Sequence, residues 1–318
     1  MSDIAYSIVI PVYGSGAWLD ELVERIGAAM QPLDGDFELI LVNDASPDAT
    51  TWPAIERNAA QHPWVRGFDL VFNVGQSRTL LCGMDQCRGR YVITMDDDLQ
   101  HPPEELPTLV DAMRQQPEMD CIIGAYETKR HSLLRNLGSS LMIFLNRHIY
   151  GRPKDLEMTS LRIIKRDVAR ALTLTRSARP LIGPMLLSTT RRIGNVSVRH
   201  QPRPHGQSGY TMRQMVSMTV NNIINGSVAP LRFFSVLGFV VAGLSFCLGA
   251  YFVVRKLVVG ISTPGFTSLI VTVSFFSGMI LLGMGILGEY IARIIREVTG
   301  KPRFLVRTTA QADEERHD

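Results

Sequence analysis

Tyr91-Val92-Ile93-Thr94-Met95-Asp96-Asp97-Asp98-Leu99-Gln100-His101-Pro102-Pro103 joins a short β-branched apolar run to three consecutive carboxylates and a proline pair. The run has the length and composition of a buried strand, and the acids fall at its carboxyl end. Three carboxylates so placed repel one another unless positive charge is held among them, and a divalent cation is the usual solution. Outward from this stretch, residues 1 to about 125 alternate strand and helix signals. Ser7 to Val12, Phe37 to Val42, Val65 to Val71 and Met119 to Gly124 are further apolar runs, separated by helical stretches such as Ala17 to Met30 and Glu104 to Gln115. Near-continuous apolar strands separated by helices predict an α/β fold with a mostly parallel sheet flanked by helices on both faces. Ligands of such sheets bind at the strands' carboxyl ends. Pro11-Val12-Tyr13, Asn43-Asp44-Ala45-Ser46 and Asp96-Asp97-Asp98 all fall there, so three strand exits are predicted to converge on one ligand.

Carboxylates beside hydroxyl groups suit a diphosphate whose oxygens share the cation. No G-x-G-x-x-G follows the first strand and no G-x-x-x-x-G-K-[ST] occurs, which argues against dinucleotide-dehydrogenase and P-loop chemistry. Asp44 is then expected to bind the nucleoside and the acidic triplet the diphosphate. His101, His131, His148, His200 and His205 are scattered without metal-ligand spacing and read as surface or loop residues.

Phe233 to Val254 and Thr267 to Leu287 are 22 and 21 residues without a charge, each long enough to cross a ~30 Å hydrocarbon core. Arg213 and Arg232 precede the first run, and Arg293, Arg296, Lys301, Arg303 and Arg307 follow the second. Arg255 and Lys256 alone lie between, so both flanks are expected to be cytoplasmic. Ile4 to Val12 reads as a strand rather than a signal peptide, which keeps the soluble part on that side. Cys82, Cys87, Cys121 and Cys247 form no C-x-x-C pair and read as packing residues. A net charge of +3 is too small to indicate nucleic acid, and the basic flanks suit anionic membrane lipid instead. The charge mix after Thr308 is expected to be a disordered tail.

Ile8-Val9-Ile10-Pro11-Val12-Tyr13, Val42-Asn43-Asp44-Ala45-Ser46, Asp96-Asp97-Asp98-Leu99-Gln100-His101-Pro102-Pro103-Glu104 and Leu287-Gly288-Glu289-Tyr290-Ile291-Ala292-Arg293, in this order, resemble the family-2 (GT-A) polyprenyl-phosphate glycosyltransferases. That group includes dolichol-phosphate mannose synthases, bactoprenol glucosyltransferases and undecaprenyl-phosphate aminoarabinose transferases. The resemblance implies a GT-A Rossmann-like sheet and inverting transfer of one sugar from a cytoplasmic nucleotide sugar, UDP-linked for choice, to a lipid phosphate such as undecaprenyl phosphate. It also implies Mg2+ or Mn2+ as cofactor, a multi-pass protein of the cell inner membrane, and a homo-oligomer, with a tetramer among the options. The expected organisation is a cytoplasmic GT-A domain over residues 1–210, containing an interfacial helix at 132–150. A juxtamembrane helix at 211–230, two membrane helices within 231–288 and a cytoplasmic tail at 289–318 follow.

Carried over residue by residue, Asp96, Asp98 and Gln100 match the metal and diphosphate positions. Pro11, Val12, Tyr13, Val42 and Asp44 match the nucleotide pocket, to which Asp97 and Ser208 are added. Asp97 stands where Ala is usual and is read as solvated rather than metal-bound. Arg203, Gly206, Ser208 and Tyr210 match a loop that closes over the diphosphate and acceptor phosphate, although its lysine is replaced by Gly209. The acid or amide residues usual after the first Pro-x-Tyr are Gly14 and Ser15 here. Ser160, in Thr159-Ser160-Leu161-Arg162, stands where an Asp is common, with Asp155 and Glu157 as nearby substitutes. A phosphate monoester, with a second pKa near ~6, is already largely dianionic at neutral pH, so the reaction needs no base.

Lys129, Arg130 and Arg135 border the acceptor site by resemblance, and guanidinium forks suit phosphate. Arg135 is the first choice, with Arg130 and Arg203 beside it. The expected mechanism is direct displacement, with Asp98, Arg203 and Arg135 as the residues of catalysis. Three other readings are weaker. A processive polysaccharide synthase lacks its Gln-x-x-Arg-Trp motif here, a nucleotidyltransferase lacks its glycine- and lysine-rich loop, and a catalytically impaired scaffold rests on the missing Lys and Asp alone.

Overall fold

The computed structural model of the chain describes residues 4–126, 156–175, 177, 180–199, 265–298 and 303–312, with isolated helical positions between 236 and 258. Along the chain run β1 (Tyr6–Val12), α1 (Leu19–Met30), β2 (Phe37–Asn43), α2 (Thr51–Gln61), β3 (Val65–Leu70), α3 (Gln76–Asp85) and β4 (Tyr91–Thr94). A 3-10 turn at Pro103–Glu105 then leads to α4 (Leu106–Gln115), β5 (Cys121–Tyr126), β6 (Arg162–Lys165), α5 (Arg166–Leu174), α6 (Ile182–Thr189), β7 (Ile193–Val198), α7 (Phe266–Val298) and β8 (Val306–Gln311).

The eight strands form one sheet in the order β7-β5-β6-β4-β1-β2-β3-β8. β4, β1, β2 and β3 run parallel to one another, with Ile8 opposite Leu39 and Ile93, and β5 and β7 are parallel as well. β6 runs antiparallel between β4 and β5, and β8 antiparallel along β3. The sheet is therefore mixed, with the predicted parallel block at its centre. The reversal comes from β6, which enters beside β4 from a distant part of the chain.

Alternation along the strands divides the core. Ile8, Ile10, Val12, Leu39 and Leu41 pack on one face with Leu22, Ile26, Ile55 and Leu109 of α1, α2 and α4. Val9, Ile40 and Val42 pack on the other with Leu81 of α3, Leu172 of α5 and Leu186 of α6. Such period-2 alternation under helices on both faces makes most central strand residues apolar. Each fully buried Ile or Leu contributes about 1.5–3 kcal/mol of transfer free energy. Helix α1 buries Leu19, Leu22, Val23, Ile26 and Met30, the spacing of one helical face. Helix α3 lies so close to the sheet that a Cβ on Gly83 would sit 2.3 Å from Val9 Cγ1.

The chain forms two compact units, Met1–Tyr210 with Lys301–Asp318, and Thr211–Gly300. Strand β8 replaces part of the expected disordered tail. Its residues are mostly polar, but their backbone groups complete the hydrogen bonding of the β3 edge. In the second unit, α7 runs through the predicted second membrane segment and continues to Val298, beyond Leu287. Its Phe275–Ala292 portion is, among the described residues, the one stretch long and apolar enough to cross a membrane. Most of the first predicted segment lies outside the described residues. The expected helices at 132–150 and 211–230 do so entirely.

Candidate active site at the strand exits

The carboxyl ends of β4, β1, β2 and β3 lie side by side, and their following loops are tied to one another. The ladder between β4 and β1 continues one residue beyond β4, with the Met95 amide donating to Val9 O at 3.3 Å. Asp96 then accepts at Oδ1 from Gln76 Nε2 (2.5 Å) and at Oδ2 from Ser160 Oγ (2.6 Å). Ser160 itself is fixed by its carbonyl, which accepts from Thr94 Oγ1 at 2.7 Å. Thus the residue standing in place of the expected acid holds Asp96 in position. Asp98 Oδ1 accepts from the Gln100 amide at 3.1 Å, across Leu99. Leu99 has φ of 57° and is buried, and Ala45, after β2, has φ of 51°. Left-handed non-glycine residues cost conformational energy, and both occur in exit loops.

Asp97 is not the solvated acid the sequence suggests. Its Oδ2 accepts from the Tyr13 amide at 3.1 Å, and its carbonyl from the Trp18 indole at 2.6 Å. Burial pushes its carboxyl up to about 6, against the pull of the neighbouring Ser15 hydroxyl and Tyr13 amide, with Asp96 and Asp98 adding repulsion. Alternation alone points neighbouring side chains apart; here that turns Asp97 toward the loop after β1 rather than into water.

Asp44 is 4% exposed, and its carboxylate accepts from the Val74 amide (2.7 Å) and the Gly75 amide (2.9 Å), just ahead of α3. Burial raises its pKa, opposed by those two amides and the Thr79 hydroxyl. The Asn73 side chain donates to the Asp44 carbonyl at 3.1 Å, which locks the exits of β2 and β3 together. Tyr13 stands 54% exposed beside them. Pro11, Val12 and Val42 are buried strand residues, so their side chains build the floor rather than a contact surface. Lys129, Arg130, Arg135, Asp155, Arg203, Gly206, Ser208 and Tyr210 lie outside the described residues, as do His131, His148, His200 and His205.

His101 is a correction: it is buried, not a surface histidine. Its ring stacks on Tyr126 with centroids 5.4 Å apart and hydrogen-bonds the Tyr126 hydroxyl through Nε2. Burial pushes the Tyr126 phenol up to about 12, and Asp96, Asp98 and Glu157 add to the shift. Gln76, at the start of α3, and Tyr126, at the end of β5, border the triplet from elements that no local motif connects to it. The one available signal is that Gln76 follows a fourth polar exit, Asn73-Val74-Gly75.

Hard carboxylate oxygens from Asp96 and Asp98 suit Mg2+ or Mn2+. Among the described residues no three His, Cys, Asp or Glu side chains form a cage. Two acids fit a cation whose remaining coordination comes from substrate phosphates and water, the usual situation for Mg2+. Burial pushes the Cys82, Cys87 and Cys121 thiols up to about 12, which makes them inert packing groups. A separate cavity of about 290 Å³, lined by Met84, Cys87, Val92, Arg166, Arg170 and Thr173, contains none of the predicted site residues.

Residues 7–173 match the family described as Glycosyl transferase family 2. The chain is 34% identical over 305 residues to an undecaprenyl-phosphate 4-deoxy-4-formamido-L-arabinose transferase of Pseudomonas syringae, covering 94% of this chain and 89% of that protein. It is 31% identical over 312 residues to the protein of the same description in Edwardsiella ictaluri, covering 97% and 95%. Among solved structures it resembles glucosyl-3-phosphoglycerate synthase of Mycobacterium tuberculosis in complex with Mn2+, UDP-glucose and phosphoglyceric acid. There the TM-score is 0.50 at 18% identity, over 70% of this chain and 78% of that one, a likeness of fold. With the family matched over more than half the chain and relatives matched over nearly all of it, the protein belongs to glycosyl transferase family 2.

Proposed function

We propose that this glycosyltransferase moves one sugar, with inversion, from a UDP-linked donor to undecaprenyl phosphate at the cytoplasmic face of the inner membrane. The observation that carries the reading is the meeting of Tyr13, Asp44 and the Asp96–Asp98 triplet on loops that hydrogen-bond to one another. The relatives named as undecaprenyl-phosphate sugar transferases support the acceptor, and the apolar Phe275–Ala292 helix supports the membrane location.

In this reading Tyr13 and Asp44 receive the nucleoside. Asp98, with Asp96 and Gln100, would hold Mg2+ or Mn2+. The bound cation supplies charge neutralisation for the departing diphosphate. Gln76 and Ser160 hold Asp96 in one orientation, so its geometry is set before substrate arrives. Arg203 adds positive charge to the same leaving group, and Arg135, with Arg130, fixes the acceptor phosphate. Attack by a phosphate oxygen on the face opposite the leaving group inverts the anomeric centre and needs no proton removal. Residues 1–210 form the catalytic part and two membrane helices anchor it. Gly278, Gly283, Gly285 and Gly288, with nothing within 4 Å of an added Cβ, permit close packing of α7 in a homo-oligomer.

Thermal-shift measurements of the detergent-solubilised protein test the donor class. UDP and a UDP-sugar should raise the melting temperature only when Mn2+ or Mg2+ is present. The absence of a shift with every nucleotide tried, metal included, contradicts the reading.

A further inference from the structure

The last strand reaches the candidate site through a line of polar contacts. Arg307 of β8 sets Nη1 3.3 Å from Asp69 Oδ2 and donates from Nη2 to the Val71 carbonyl at 2.9 Å. The Val71 amide returns a hydrogen bond to Leu305 O at 2.9 Å. Asp69, only 4% exposed, accepts at its other oxygen from Asn43 Nδ2 at 2.7 Å. Asn43, also buried, turns Oδ1 to the Ser46 hydroxyl (2.6 Å) and amide (3.2 Å). Ser46 Oγ then accepts from the Gly14 amide at 3.0 Å. Because an ionised carboxylate only accepts, Asn43 must present its NH2 to Asp69 and its oxygen to Ser46. Asp69 therefore sets which way the Asn43 amide faces.

We propose that Arg307 is a positioning residue for the donor pocket. It pairs with Asp69 and aims that carboxylate, Asp69 orients Asn43, and Asn43 holds the Ser46 turn against Gly14, beside Tyr13 and Asp44. The pocket at the front of the chain is thus completed by a residue 264 positions beyond Asn43, in the strand that follows the apolar helix. Without the guanidinium, the buried Asp69 carboxylate keeps Asn43 but loses its ionic partner, and the turn loses its fixed register. The effect falls on binding of the nucleotide, before the chemical step. This rests on the reading of these exits as a nucleotide pocket.

The test uses the full-length protein and two variants, Arg307→Gln and Arg307→Lys, with UDP as the binding probe in Mn2+. Arg307→Gln should raise the UDP Kd and the donor KM by about tenfold while kcat stays within about twofold. Arg307→Lys should recover most of the loss. Combining Arg307→Gln with Asn43→Ala should cost no more than the worse single change, as expected for residues in one network. Amide hydrogen exchange at Gly14 and Ser46, measured without ligand, should quicken in Arg307→Gln. A variant that melts lower but keeps wild-type Kd, KM and exchange overturns the proposal. Additive losses in the double variant do so too. If wild-type protein binds no UDP, the donor reading fails, and exchange alone decides the wiring: unchanged rates at Gly14 and Ser46 overturn it.

Discussion

Ser160 shows how a missing acid can be harmless. Its hydroxyl is spent on Asp96 Oδ2 at 2.6 Å, so it orients a carboxylate and does not face an acceptor as a base. Since the acceptor phosphate arrives dianionic, the loss of this one hydroxyl-to-carboxylate hydrogen bond has a limited cost. Ser160→Ala should keep sugar transfer to within about tenfold of wild type in a radiolabel assay. A fall of about a thousandfold or more would show that the residue takes part in proton transfer. At the same scale, the acidic triplet was legible as a cluster but not in its internal division of labour. Asp97 differs from Asp96 and Asp98 because the loop after β1 folds over it and brings the Tyr13 amide and Trp18 indole. Those contacts join residues some 80 positions apart, which no local pattern encodes. The burial of His101 likewise depends on a distant residue, since its stacking partner Tyr126 comes from β5.

Among elements, the central strands are plain in the sequence because both faces are covered and most of their residues are apolar. β8 is not, because Val306-Arg307-Thr308-Thr309-Ala310-Gln311 is a polar edge strand whose partner, β3, lies more than 230 residues earlier. Edge strands exposed on one side show little hydrophobic patterning, and charge-rich flanks then mimic a disordered tail. Helix α2 offers a test of local chemistry. Asp48 accepts from the Thr50 amide (2.9 Å), the Thr51 amide (2.8 Å) and both threonine hydroxyls, at the start of the helix. The Thr50 hydroxyl leads the effects that hold its carboxyl down to about 2, below the ordinary 3.8. A folded-state pKa below the unfolded one means stability that is complete above about pH 4 and lost as pH falls toward 2. Asp48→Ala should therefore cost about 1 kcal/mol at pH 7. The difference in melting temperature between wild type and variant should narrow between pH 4 and pH 2.5; a constant difference would place the cost elsewhere.

Across the whole molecule, a family-2 sugar-transfer unit and an apolar helical unit share one chain. The chain enters the second unit after Tyr210 and returns from it to add β8 to the sheet of the first. Helix α7, 33 residues long and hence ~50 Å, exceeds a hydrocarbon core of ~30 Å. Its apolar portion ends at Ala292, before Arg293 and Arg296. Such an arrangement suits an acceptor whose phosphate stays at the headgroups while its chain remains in lipid. The most direct measurement is transfer of radiolabelled sugar from a UDP-sugar to undecaprenyl phosphate in detergent with excess Mn2+, comparing wild type with Asp98→Ala. Lipid-linked label is expected in the wild type and a loss of at least roughly a thousandfold in the variant, with its melting temperature retained. Near-normal transfer by Asp98→Ala would contradict it.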